Sequence, residues 1–186
     1  MIAGGPLSRQ PQRAAKTACL MNYPVTLVDI VSIAIAATCL RGTWPDLRGE
    51  RRKLYLLGLP PLLGVVVSIV ILAEAVVTFE HDAIWIATAL AGSLAGWWRG
   101  RQVVVQIDQV WGVVRTAPAR DTVIAAAAIL AVAVLDGISG LFQSGTLPRH
   151  AYFAAASALF AGYLAGRAFS LVRRAMRSPH TELETH

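Results

Sequence analysis

A short glycine-spaced phrase that occurs twice constrains this chain more than any other feature. The sequence AGSLAG at 91–96 recurs as AGYLAG at 161–166, each time near the end of a long apolar run. Glycines four residues apart in an apolar helix allow another helix to approach closely. Both phrases are followed by arginine, which is typical of a cytoplasmic membrane boundary. The pattern therefore predicts an integral membrane protein with a duplicated helical hairpin.

The composition favours lipid over water as the surroundings of the helices. Of the 186 residues, 55% are hydrophobic and only 15% are charged, whereas soluble domains have about 45–50% and about 25%. A net charge of +6 would suit nucleic acid in a soluble protein. Here the cations lie between apolar runs, so the positive-inside rule accounts for them. We expect the lipid bilayer as a partner and no nucleic acid.

Five apolar segments predict an all-α polytopic membrane protein with about five transmembrane helices. A span requires about 20 residues, and the segments are 24–40, 54–79, 83–98, 122–142 and 151–172. Pro60 and Pro61 either kink the second helix or mark its start. The first segment is the weakest, and a four-span form with 24–40 lying on the membrane is the alternative.

The predicted membrane domain, 23–174, lies between two polar tails. Residues 1–22 carry cations, glycine and proline without an apolar period, which predicts a disordered N-terminal tail. Met21 is an alternative start of the chain. Residues 175–186 are predicted to form a C-terminal tail in the cytoplasm.

A β-branched stretch interrupts the helical pattern between the third and fourth segments. Val103, Val105 and Ile107 alternate with other residues, and Gly112 offers a turn. These features predict a short cytoplasmic β-hairpin over 102–116. Its main expected role is to connect two helices. Its candidate contact residues for a partner are Arg101, Asp108 and Gly112.

The distribution of positive charge predicts the orientation of the chain. With five spans, thirteen of the 17 Lys and Arg residues fall on one side. Because cytoplasmic loops carry the excess of Lys and Arg, the N-terminus should lie outside and the C-terminus in the cytoplasm. We expect the bacterial cytoplasmic (inner) membrane. Arg9, Arg13 and Lys16 of the N-terminal tail are the main features against this orientation.

The repeated glycines are the predicted helix-packing residues. The two faces should either contact each other near a pseudo-two-fold axis or contact a second protomer, so a homo-oligomer and a membrane partner protein are both open. The glycines concerned are Gly92, Gly96 and Gly100 in the third segment, and Gly162 and Gly166 in the fifth.

Three carboxylates fall inside apolar segments, at Asp29, Glu74 and Asp136. A charge near the bilayer centre costs at least about 2.5–3.5 kcal/mol, so each is a candidate for ion or proton coupling. The alternative is that each reaches water or headgroups near a helix end. His81 and His150 lack zinc-ligand spacing, and the sequence has no catalytic constellation or haem-attachment motif. We therefore expect no cofactor, no metal and no enzymatic activity.

One stretch resembles the CcdC-like membrane proteins, which are small multi-span bacterial proteins. The residues concerned are the glycine-spaced exit Gly92, Gly96, Arg99, Gly100 and Arg101, then Val105, Ile107, Asp108, Gly112 and Val114. The resemblance implies an involvement in cytochrome c biogenesis. Two functions follow as hypotheses: a non-enzymatic scaffold or accessory factor, or a small transporter or channel subunit that uses the intramembrane carboxylates.

Overall fold

The protein is mostly helical, and its computed structural model describes residues 27–74, 79–108, 112–139 and 149–177. The predicted tail 1–22 and most of the predicted tail 175–186 lie outside the described residues. The elements are helices α1 (Leu27–Thr43), α2 (Leu59–Glu74), α3 (Phe79–Gln102), α4 (Asp121–Ser139) and α5 (Arg149–Ala175), and strands β1 (Arg52–Lys53), β2 (Val105–Asp108) and β3 (Val113–Thr116).

The helices alternate in direction, so the chain has two distinct ends. The arginine end holds residues 41–58, the sheet, the start of α4 and the end of α5. The histidine end holds the start of α1 and α5 and the end of α4. Charges at the helix ends match the helix dipole, with Asp29 and Asp121 in first turns and Arg41 in a last turn.

The two prolines mark the start of α2. Pro60 and Pro61 lie in its first turn, where the missing proline N–H would have no intrahelical partner. A 3-10 helix over Leu54–Gly58 leads into this turn. Of the two alternatives, a kink or a beginning, the structure shows the beginning.

In the part of the chain that the structure describes, four helices are long and apolar enough to cross a membrane. They are Leu27–Leu47, Leu54–Ala73, Asp121–Ser139 and His150–Ala175. The expected count was five, so length and composition support one span fewer. The third expected span, 83–98, lies within α3 and is not among them, because this uncharged stretch is only 16 residues long and is bounded by Asp82 and Arg99.

Helix α5 is the centre of the bundle. It contacts α2, α3 and α4, while α1 packs against α2 and α4. Alanine dominates the interior, and large side chains such as Leu62, Leu90 and Ile124 are more than half exposed. Small residues inside and large apolar residues outside are typical of helices in lipid.

The packing is not duplicated as the two glycine phrases predict. Within the described residues, α4 contacts α5 extensively, whereas α2 and α3 barely contact each other. Trp85 of α3 donates from Nε1 to the Oγ of Ser68 on α2 (2.7 Å), and this hydroxyl donates to the Ala154 carbonyl of α5 (3.1 Å). Helix α3 is therefore held mainly by α5, and this hydrogen bond is its direct link to α2.

The β-stranded segment forms a three-stranded antiparallel sheet in the order β1-β3-β2. The expected hairpin is present as β2 and β3, with Val105 opposite Thr116 and Ile107 opposite Val114. Its start differs from the expected 102, because Gln102 still belongs to α3. Two residues that precede α2, Arg52 and Lys53, add the third strand.

One arginine helps to fix the sheet to the helix bundle, together with apolar packing. Arg174 near the end of α5 donates to the carbonyl oxygens of Gly100, Arg101 and Val103, where α3 ends and the chain turns into β2. The carbonyls of Gly100 and Arg101 lie in the last turn of α3 and have no partner inside the helix. One guanidinium therefore joins the ends of α3 and α5 and the first strand of the hairpin.

Candidate functional site: charged clusters at the two ends of the bundle

The arginine end contains a cluster of charged and polar side chains around Asp121. Arg167 donates from Nη1 to Asp121 Oδ1 at 3.0 Å, and the Tyr163 hydroxyl donates to Oδ2 at 2.7 Å. Arg99 lies 3.5 Å from the same Oδ2. Arg167 is only 2% exposed, whereas Arg99 is 55% exposed by side chain. The carboxylate thus joins α3, α4 and α5.

The glycine phrase explains why Arg167 is buried. It follows Gly166 directly, on the helix that approaches α3 most closely. A buried guanidinium requires a charged partner, and Asp121 provides one from the first residue of α4. An acid in the first turn also interacts favourably with the helix dipole. The partner of Arg167 is therefore fixed by both charge and helix geometry.

A second ion pair lies beside Arg167. Arg52 and Asp46 are 3.3 Å apart and almost buried, and Arg52 also donates to the Gly42 carbonyl. A cavity of about 20 Å³ lies among these side chains and Arg167. Arg167 Nε has no hydrogen-bond partner among the described residues. Because a water molecule requires about 10–15 Å³ and polar neighbours, the cavity has room for one water on Nε.

A larger cavity opens on the outer side of Asp121. It has a volume of about 580 Å³ and lies between the end of α3, the lead-in to β2 and the start of α4. Its lining is partly basic and partly apolar, and consists of Arg99, Gln102, Val103, Val104, Ala117, Pro118, Ala119, Arg120, Asp121 and Ile124.

The histidine end brings two of the three predicted carboxylates together. Asp136 is 3% exposed and lies 2.8 Å from His150 Nδ1, through its Oδ1. Asp29 is close to Asp136 as well, since a Cβ added at Gly137 would lie 3.5 Å from the Asp29 Cβ. Glu74 ends α2, and its side chain lies outside what the structure describes. These groups do not form a metal-ligand cluster among the described residues.

The two clusters are separated by an apolar layer. The buried core between them consists of Ala36, Cys39, Val67, Ile71, Ala125, Ala126, Ile129, Ala133, Ala154, Ala161 and Leu164. Between the charged ends, none of the five helices carries a charged residue along 30–40, 59–73, 83–98, 122–135 or 151–166. Among the described helices, charged side chains are thus confined to the two ends.

The predicted glycines meet within one chain. A Cβ added at Gly96 would lie 1.9 Å from the Tyr163 carbonyl oxygen, and one at Gly166 would lie 1.9 Å from the Ser93 oxygen. Gly92 and Gly162 make equally close approaches, to the Leu159 and Ala89 oxygens. The residue numbers of the contacting positions increase together along the two helices. Helices α3 and α5 therefore run parallel, with their backbones in contact.

The remaining predicted contact residues border the sheet. The close contact of α3 with α5 extends to Gly100, where an added Cβ would lie 2.8 Å from the Ser170 Cβ. The Arg101 guanidinium lies over the Trp97 ring, 3.6 Å from its centroid. Gly112 has a φ of 60°, a left-handed conformation that favours glycine. The Asp108 side chain is outside the described residues.

The sequence analysis did not single out Asp121, Tyr163 or Arg167. Arg167 was interpreted only as one of the cations that mark the end of a span. The sequence position of Arg167 could have indicated its burial, because Arg167 lies one residue beyond a close-packing glycine. A side chain at such a position lies near the helix interface. The partner of Asp136 was also missed, since His150 was considered only as a zinc ligand.

Comparison with protein-family models, with curated proteins and with solved structures gives no match for this chain.

Proposed function

We propose that this protein is a non-enzymatic scaffold or accessory factor of the bacterial inner membrane. The observation that carries the proposal is the parallel contact of α3 and α5. Four glycines bring the two backbones together, and Arg174 extends the same unit into the sheet. Because the two backbones are in contact, α3 and α5 have little freedom to move past each other. This unit therefore suits a rigid scaffold better than the moving part of a transporter or channel.

Helix α3 is the fifth span in this proposal. Its uncharged stretch, 83–98, is shorter than a typical span, yet the helix runs beside α5 from Ala89 to Gly100. Because the two helices are in register, α3 lies at the same depth as α5. Trp97 and Trp98 then fall near the membrane surface, where tryptophan is enriched. The single-chain contact also accounts for both glycine faces without a second protomer.

The arginine end faces the cytoplasm. The fold gathers residues 41–53, 99–120 and 167–177 at this end, and these segments hold thirteen of the 17 Lys and Arg residues. The positive-inside rule then places the C-terminus in the cytoplasm. In this orientation, the sheet is the surface that a cytoplasmic partner would bind. The CcdC-like resemblance makes cytochrome c biogenesis the expected process.

The test is recovery of a partner after crosslinking in membranes of the native host. Arg115→Glu inverts the charge of an exposed side chain on β3, and should remove any protein that crosslinks to the sheet. Arg173→Glu is the matched control, since Arg173 is exposed at the same end but lies on α5. Equal recovery with both variants would contradict a role for the sheet.

A second candidate function is a proton-coupled transporter subunit, and the cluster of Asp136, His150 and Asp29 favours it. A buried carboxylate with a histidine partner is a common element of proton relays. Asp136→Asn preserves shape and removes the charge. In vesicles containing the purified protein, this variant should reduce proton flux if transport is the function. The scaffold proposal predicts no protein-dependent flux in either case.

A further inference from the structure

We propose that the cavity beside Asp121 binds a phosphate group, and that the phosphate of an anionic phospholipid occupies it in the membrane. The cavity, of about 580 Å³, is lined by Arg99, Arg120 and Gln102 and by the first residue of α4. Its volume lies in the range of small-ligand sites, which is about 300–1,000 Å³.

The basic groups of the cavity remain available for an anion. Arg99 uses Nε toward Asp121 (3.5 Å) and Nη1 toward the Gln102 side chain (3.1 Å). Among the described residues, its other terminal nitrogen has no hydrogen bond. A guanidinium has five donors in a planar fork that suits phosphate. These two contacts place the guanidinium at the edge of the cavity.

Asp121 does not oppose an anion here, because its charge is already compensated. Arg167 and Tyr163 donate to its two oxygens at 3.0 Å and 2.7 Å. An anion that draws Arg99 away from Asp121 would therefore leave the carboxylate paired. Arg99 and Arg120 then give the cavity a net positive charge at the N-terminus of α4, where the helix dipole adds to the attraction.

The apolar part of the lining points to a lipid rather than a free ion. Ile124 lines the cavity and is 65% exposed, and Val104 is 67% exposed. From Ile124 an exposed apolar stripe continues along α4 through Ala131, Leu135 and Ile138. A phospholipid with its phosphate at Arg99 could lay an acyl chain along this stripe. Basic pockets at the cytoplasmic ends of spans bind such headgroups.

The experiment measures ligand retention by the delipidated full-length protein, using native mass spectrometry in detergent. The probes are phosphatidylglycerol, phosphatidylcholine and glycerol phosphate. We expect saturable binding of phosphatidylglycerol, about ten- to hundredfold weaker in Arg99→Ala and in Arg120→Ala, because each removes hydrogen bonds to a charged group. Arg173→Ala is the control, since it removes an exposed arginine at the same end.

A second pair of variants separates loss of binding from loss of fold. Gln102→Glu places a negative charge in the cavity and should abolish phosphatidylglycerol retention, whereas Gln106→Glu, exposed on β2, should leave it unchanged. Saturable binding of glycerol phosphate with the same dependence on Arg99 would support a phosphate site filled from solution. An equal loss in Arg173→Ala, or retention in Gln102→Glu, would overturn the proposal.

Discussion

Replacing Gly96 or Gly166 with alanine should weaken the contact of α3 with α5 far more than a single methyl group does elsewhere. The added Cβ would lie 1.9 Å from a carbonyl oxygen in either case. An ordinary contact begins at 3.4 Å, so the backbones must separate by about 1.5 Å locally. The obstacle is backbone and cannot rotate away.

The expected cost of each substitution is about 1–3 kcal/mol, the usual range for an overpacked interior. Gly42→Ala is the matched control, because it lies in helix α1 and its added Cβ would meet Pro60 Cγ at 3.6 Å, an ordinary contact. There the better helix propensity of alanine should stabilise the protein by up to about 1 kcal/mol. The assay is unfolding in mixed micelles followed by circular dichroism.

The reasoning is refuted if Gly96→Ala and Gly166→Ala unfold at the same denaturant content as Gly42→Ala. A loss confined to Gly96→Ala would also contradict the account, since both glycines make the same approach to the partner backbone. Gly96→Leu and Gly166→Leu should separate the two helices completely.

Three further predictions concern the arginine end. Asp121→Asn should cost about 3–5 kcal/mol in the same unfolding assay, because it leaves the buried Arg167 guanidinium without its carboxylate. Arg167→Met should cost less, because Asp121 keeps Tyr163 and Arg99; the double variant should recover part of the loss, and strictly additive losses would argue against the pair. Tyr163→Phe should cost about 1.5–3 kcal/mol, as expected for a hydrogen bond to a carboxylate, and no change would show that the hydroxyl lies elsewhere. Arg174→Gln should increase hydrogen exchange of the backbone amides in 101–108 while those in α4 stay protected; uniform protection would contradict the role of Arg174 as the cap of α3.

Local features of the fold were predictable because local residues determine them. Glycines four apart specify a surface without side chains, and β-branched residues at alternate positions specify strands. The sequence left two alternatives at Pro60, a kink within α2 or the start of α2. The structure of the neighbouring segments was needed to distinguish them. The strand at Arg52 and Lys53 was not predictable, since two residues carry no periodicity and pair only because β3 lies beside them.

Contacts between distant segments account for most of what the sequence did not reveal. The pairing of Asp121 with Arg167 joins residues far apart in the chain, and it depends on α5 lying between α3 and α4. The same arrangement explains why α3 packs mainly on α5 and not on α2. The two expected hairpins are therefore not equivalent. Asp136 was identified as an intramembrane carboxylate, but its histidine partner depends on the start of α5 lying beside the end of α4.

The central claim is that lipid surrounds these helices, and an alkaline wash of membranes from cells that produce the full-length protein tests it most directly. High pH releases proteins bound at the membrane surface but leaves spanning helices in the bilayer. We predict that the chain stays in the membrane pellet and is released only by detergent. Recovery of the chain in the aqueous supernatant, as a folded monomer without detergent, would contradict the account.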